Sequence, residues 1–215
     1  MITGNLFLIT AFSVFAMVDA IARPVKDTTY SIRICADVPD NSRPGKVFFK
    51  GEPGHVFVVL ERADTATLFC ERYVWGFYPK KAISCILFRR VKSRLVDNSN
   101  KEYDVSVTRS VNESEYRFLL QKALELSRKK YHLNSYNCYH YALELFNSLN
   151  AQPALPVSHV RFPFLFGKGG SPCGLYRDLQ NILVHHSSNT LNIQFTRKNA
   201  PGSHPYDKPV AKTNQ

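Results

Sequence analysis

Five apolar residues in a row, Val56 to Leu60, three of them valine, follow the turn Gly51-Glu52-Pro53-Gly54 and are opened by His55. A β-branched run this short reads as a strand. Because no polar residue alternates with the apolar ones, the strand is expected to be buried on both faces, at the centre of a sheet. Arg62-Ala63-Asp64-Thr65 reads as a hairpin connection, and Thr67 to Phe77 as the returning antiparallel strand, ended by Pro79. A five-residue loop puts Glu61 opposite Thr67. Carried along both strands, that register sets Tyr73 opposite His55, with Glu71 as its diagonal neighbour on the same face.

Further strands are expected at Thr28 to Val38 and at Tyr103 to Thr108, where apolar and polar residues alternate. Asn112 then caps the clearest helix of the chain. Glu113 and Glu115 stand in its first turn, Phe118, Leu119, Ala123 and Leu126 recur at helical steps, and Arg128 to Lys130 suit its negative end. A second helix begins near Cys138, with Tyr141, Ala142, Leu145, Phe146 and Leu149 on one side, and stops before Pro153 and Pro156. Leu175 to Val184 is a short amphipathic helix. These elements make residues 23–185 one α+β domain, an antiparallel sheet packed against helices. The polar composition from residue 186 to 215 reads as a poorly ordered tail.

At the other end, Leu6 to Val18 is an apolar run too short to span a membrane comfortably, and Ala20-Ile21-Ala22 offers the small residues of a signal-peptidase site. Residues 1–22 are therefore expected to be a signal peptide, Arg23 the first mature residue, and the protein secreted to an extracellular or periplasmic space. Of the five cysteines, an oxidising compartment leaves at least one unpaired within a single chain. If that one is Cys138, then Cys35, Cys70, Cys85 and Cys173 are free to form two bridges, in any of three pairings.

Cys138 follows the polar Asn137 at a helix start, where orphan amides and the helix dipole stabilise a thiolate. His55, held on a core strand, is the candidate general base. His140 is a poorer base, because positions two apart on a helix do not face each other; His132 is a fallback in the preceding loop. Glu71, with Tyr73 behind it, is the candidate to orient the imidazole, and Asn137 with the Cys138 amide the candidate to stabilise an oxyanion. Asn137 serves equally as the helix cap. No metal or cofactor is expected, since neither C-x-x-C nor H-E-x-x-H spacing nor a phosphate-binding glycine loop occurs. Asn112-Glu113-Ser114 is a formal glycosylation sequon that coincides with the helix cap. The net charge of +11 suggests an anionic membrane or glycan surface as partner, and no nucleic-acid-binding signature accompanies it.

The order of the pieces, Gly54-His55-Val56-Phe57-Val58 before Asn137-Cys138-Tyr139-His140-Tyr141, resembles the circularly permuted papain-like group of the NlpC/P60 superfamily. Its lecithin:retinol acyltransferase-like branch carries a similar Asn-Cys-Glu-His-Phe motif. Val74 to Pro79, Tyr103 to Val107 and Ser171-Pro172-x-Gly174-Leu175 are similar to segments of bacterial secreted proteins of the group. The resemblance covers roughly residues 50–180. It implies a permuted papain-like fold with Cys138 as nucleophile and His55 as base. The function expected is a secreted cysteine hydrolase cleaving an amide bond in a peptide or peptidoglycan-derived substrate. Lipid acyl transfer or thioester hydrolysis at the same site, and an inactive binding protein on the same scaffold, are the alternatives.

Overall fold

The computed structural model describes residues 28–81, 89–163, 167–185 and 190–205. The expected signal peptide and Cys85 lie outside the described residues. In chain order the strands are β1 (Thr28–Asp37), β2 (His55–Asp64), β3 (Phe69–Pro79), β4 (Ser93–Asp97), β5 (Glu102–Tyr103), β6 (Val105–Val111), β7 (Val160–Arg161), β8 (Lys168–Gly169), β9 (Asn192–Gln194) and β10 (Lys198–Asn199). Three helices, α1 (Glu113–Leu126), α2 (Cys138–Asn147) and α3 (Pro172–His185), complete the described elements. A six-stranded sheet in the order β4-β3-β2-β1-β6-β9 is antiparallel throughout, so the fold is mixed α+β. None of the described helices is long and apolar enough to cross a membrane.

The pleat of the central strands divides the core in two. Ile32 and Ile34 of β1 and Val58 and Leu60 of β2 point to the helical side, against Leu119 of α1, Tyr141 and Phe146 of α2 and Leu179 of α3. Phe77 stacks on Tyr141 there with ring centroids 4.9 Å apart. Cys35, Phe57, Val59 and Val74 point the other way, under Tyr103 and Ala200. Every residue from His55 to Leu60 is buried, as the unbroken apolar run requires.

The second face is covered by the stretch expected to be a poorly ordered tail. Residues 190–205 instead run from β9, beside β6, to the far side of the sheet, where Arg72 and His204 exchange main-chain hydrogen bonds of 2.9 and 2.8 Å. Ala200 bonds Lys101 on the way, and the Val74 amide donates to Ser203 Oγ. The composition misleads because few apolar anchors are needed: Leu191 and Ala200 are buried, Ile193 and Phe195 pack on the core, and the rest of the hold is main-chain hydrogen bonding.

Asn112 caps α1 as expected, in a reciprocal box: the Glu115 amide donates to Asn112 Oδ1 at 2.9 Å and the Asn112 amide donates to Glu115 Oε2 at 2.8 Å. Tyr116, Leu119, Ala123 and Leu126 form its buried stripe, whereas Phe118 is 42% exposed. Cys35, Cys70, Cys138 and Cys173 hold free thiols. Cys35 and Cys70 cannot be bridged. They lie opposite Phe57 and Ala63, positions some 20 Å apart along β2 at about 3.4 Å per residue, against about 7 Å for the widest disulfide.

Candidate active site

Asn137 fixes the start of α2. Its Oδ1 accepts from the amides of Tyr139 and His140 at 3.0 and 3.3 Å, while its Nδ2 donates to the carbonyls of Leu133 and Gly170 at 2.7 and 2.8 Å. With both amide protons used, Asn137 has no donor left for an oxyanion, and its expected role there is corrected to that of a cap and clamp. His140 Nδ1 lies 2.9 Å from Asn137 Oδ1, and its Nε2 faces His159 rather than the cysteine. The His132 ring accepts from the amides of Asn134 and Ser135 and shapes the loop before the helix.

The clamp depends on Gly170. A Cβ at this position would stand 1.9 Å from Tyr139 Cδ1, and the Tyr139 side chain is fully buried. Gly170→Ala is accordingly expected to destabilise the fold by about 3 kcal/mol, the upper end of overpacking costs. A urea midpoint unchanged from the wild type would contradict this placement.

Cys138 is the first residue of α2 and only 7% exposed. Burial pushes its thiol above the ordinary value; the amides of Val56, Tyr139 and Cys138 and the Tyr131 hydroxyl face the sulfur and pull the other way, without prevailing. His55 opens β2 and stacks on the Tyr78 ring at 4.3 Å between centroids. Its Nε2 is buried without a hydrogen-bond partner. Burial first, and the Lys101 charge second, hold the imidazole down to about 3. The dipole-stabilised thiolate expected from the sequence is therefore not the resting state. Both groups are neutral, because desolvation outweighs the helix terminus.

Cys138 and His55 line one cavity of about 450 Å³, together with Asp37, Tyr78, Lys101 and Tyr131, between apolar walls from Leu133, Phe162 and Pro172. His55 shares its side of β2 with Phe57, away from the helices, so the imidazole meets the cavity at the open end of the strand. A larger hollow of about 580 Å³ holds His140 and Glu144 and no cysteine.

The hairpin places Glu71 and Tyr73 elsewhere. β2 continues to Asp64, whose Oδ1 accepts from the amides of Ala66 and Thr67, both at 3.0 Å. The strands resume with Asp64 opposite Phe69. Tyr73 thus lies opposite Leu60 and Glu71 opposite Arg62, the latter seven positions, or roughly 24 Å, from His55. The Tyr73 hydroxyl donates to Glu71 at 2.9 Å, and Arg62 stands 4.0 Å from the same carboxylate, in a separate polar cluster.

The carboxylate that does lie opposite His55 is Asp37, the last residue of β1, paired with Lys101 at 3.3 Å. Burial pushes its carboxyl up, and Lys101 opposes this. The sequence held a signal for it: a turn-rich connection leads from Asp37 to His55, and an antiparallel return sets the end of one strand against the start of the next. Among the described residues no three His, Cys, Asp or Glu side chains converge as metal ligands. Compared with family models, curated proteins and solved structures, the chain matches none.

Proposed function

We propose that the protein is a secreted cysteine hydrolase of the permuted papain-like kind, cleaving an amide bond through an acyl-enzyme on Cys138. The observation that carries this reading is a buried imidazole nitrogen without a partner, on the same cavity as a thiol at a helix N-terminus. An unpaired buried nitrogen costs free energy, and such exceptions concentrate where a group has work to do.

In this mechanism the substrate enters the cavity and brings the two neutral groups into line, since catalytic hydrogen bonds are often loose in the free enzyme. The Cys138 Sγ–H proton passes to His55 as sulfur bonds to the substrate carbonyl carbon. The amides facing the sulfur, those of Val56, Cys138 and Tyr139, stabilise the negative charge. Collapse of the tetrahedral intermediate breaks the C–N bond, and the imidazolium gives its proton to the departing amine. Water then attacks the thioester with His55 as base, releasing a carboxylic acid and restoring the thiol. Asp37 is the positioning residue, able to take a hydrogen bond from the imidazolium once it forms.

The test is to incubate the purified protein with peptide, muropeptide and phospholipid substrates beside Cys138→Ala, following amine, carboxylate and fatty-acid release. Thiol-dependent amine release is expected. Release of fatty acid or lysolipid alone moves the site to lipid acyl chemistry, and equal turnover by the alanine variant overturns both.

A further inference from the structure

A basic surface is built beside the cavity by three segments. Lys80 and Lys81 follow β3, Arg90 and Lys92 lead into β4, and the main chains of Lys80 and Lys92 are hydrogen-bonded at 2.8 Å. Arg94, opposite Tyr78 on β4, extends the row. Arg128, Lys129 and Lys130 follow α1 and are tied to it: the Ser93 hydroxyl donates to the carbonyls of Ser127 and Lys129 at 2.7 and 2.6 Å, and Val91 and Tyr131 exchange main-chain bonds.

All eight cations are exposed. Among the described ion pairs only Lys129 has a carboxylate, that of Glu144. Outside the patch, Arg117 and Arg197 are each matched by a glutamate, and the exposed cations without a carboxylate among the described ion pairs, such as Lys50, Arg161, Lys168 and Lys198, belong to other segments. Like charges gathered without counter-charges repel and destabilise the fold, so their clustering calls for an external anion.

We infer that this surface docks the protein on an anionic phospholipid bilayer. The charges stand on flexible, solvated stems around a shallow depression lined by Arg90, Lys129 and Lys130. That suits a diffuse sheet of lipid phosphates better than a ligand needing fixed hydrogen bonds. Leu124, four residues before Arg128 and 43% exposed, offers an apolar contact near the end of α1. Docking sets the cavity at the headgroup level, because Tyr131 belongs to both: its main chain holds β4's approach and its hydroxyl faces Cys138. That consequence, a substrate held at a membrane surface, rests on the proposed hydrolase; the docking itself does not.

Co-sedimentation with phosphatidylcholine vesicles, with and without phosphatidylglycerol, separates the two because it needs no turnover. Partition onto the anionic vesicles is expected to be roughly 100-fold stronger, to fall at high salt, and to drop roughly 100-fold in a Lys80→Glu, Arg90→Glu, Arg94→Glu, Lys130→Glu variant that keeps the wild-type circular dichroism. A control with Arg117→Glu and Lys198→Glu, outside the patch, is expected to bind as the wild type. Equal partition onto neutral vesicles, equal loss in the control, or binding to heparin without binding to vesicles overturns the inference.

Discussion

Cys138→Ala is expected to lower kcat/KM on any amide or ester the protein cleaves by about 10⁴-fold or more while leaving the fold in place. The loss is large because the thiol is the only group proposed to bond covalently with substrate. The other hydroxyls lining the cavity are poor substitutes: Tyr78 and Tyr131 are phenols, burial raises the Tyr78 hydroxyl further out of range, and the Ser171 hydroxyl is buried at the start of α3, where it accepts from the Gly174 amide at 3.2 Å. The fold tolerates the change because Asn137, not the sulfur, anchors the start of α2. Removing one buried sulfur costs about 1 kcal/mol, the lower range for large-to-small changes. Substrate turnover, with urea denaturation as the control for folding, measures both halves.

The second large effect is acid lability. His55 is held down to about 3 from an ordinary imidazole value of about 6.5, so below pH 6.5 the unfolded chain takes up a proton that the folded one refuses. The contribution is fully present above pH 6.5 and is lost as pH falls toward 3. At about 1.4 kcal/mol per unit, stability at pH 4 is lower by about 3 kcal/mol from this residue alone. His140, lowered to about 4 by burial and by His159, acts in the same direction but is partly exposed and gives less. Asp37, Asp104 and Asp178, whose carboxyls burial pushes up, offset part of the loss because their folded forms take up protons more readily. His55→Gln removes the titration, so urea unfolding of the variant at pH 7 and pH 4 should differ by about 3 kcal/mol less than in the wild type. An identical acid loss in both would show that His55 is not kept neutral by burial.

The parts of this site that were legible in the sequence are those fixed by local chemistry. Asn112 with Glu115, and Asn137 before an apolar helix face, announce helix starts through side chains that bond the next turn, and both caps form. The run from Val56 to Leu60 announced its own burial. What covers its second face was not legible, since a strap carried by main-chain bonds leaves little trace in composition. The β2–β3 register shifts because Arg62, Ala63 and Asp64 read as a polar connection, yet all three extend the strand, and Asp64 closes a tight turn through its carboxylate. That shift sets Glu71 and Tyr73 away from His55 and leaves Asp37, at the end of the neighbouring strand β1, as the facing carboxylate. The neutral state of Cys138 and His55 was equally hidden. It depends on how deeply folding removes both groups from water, which neighbours in sequence do not report.

Acylation of Cys138 itself tests the central pairing most directly. The protein is mixed with an activated acyl ester, quenched over time, and followed by intact mass with peptide mapping. A burst of one acyl group on Cys138 is expected, slowed roughly 10²–10⁴-fold in His55→Gln at neutral pH, the range for loss of a general base. Acyl transfer to another residue, or equal rates on Cys138 in the wild type and His55→Gln, would contradict the account.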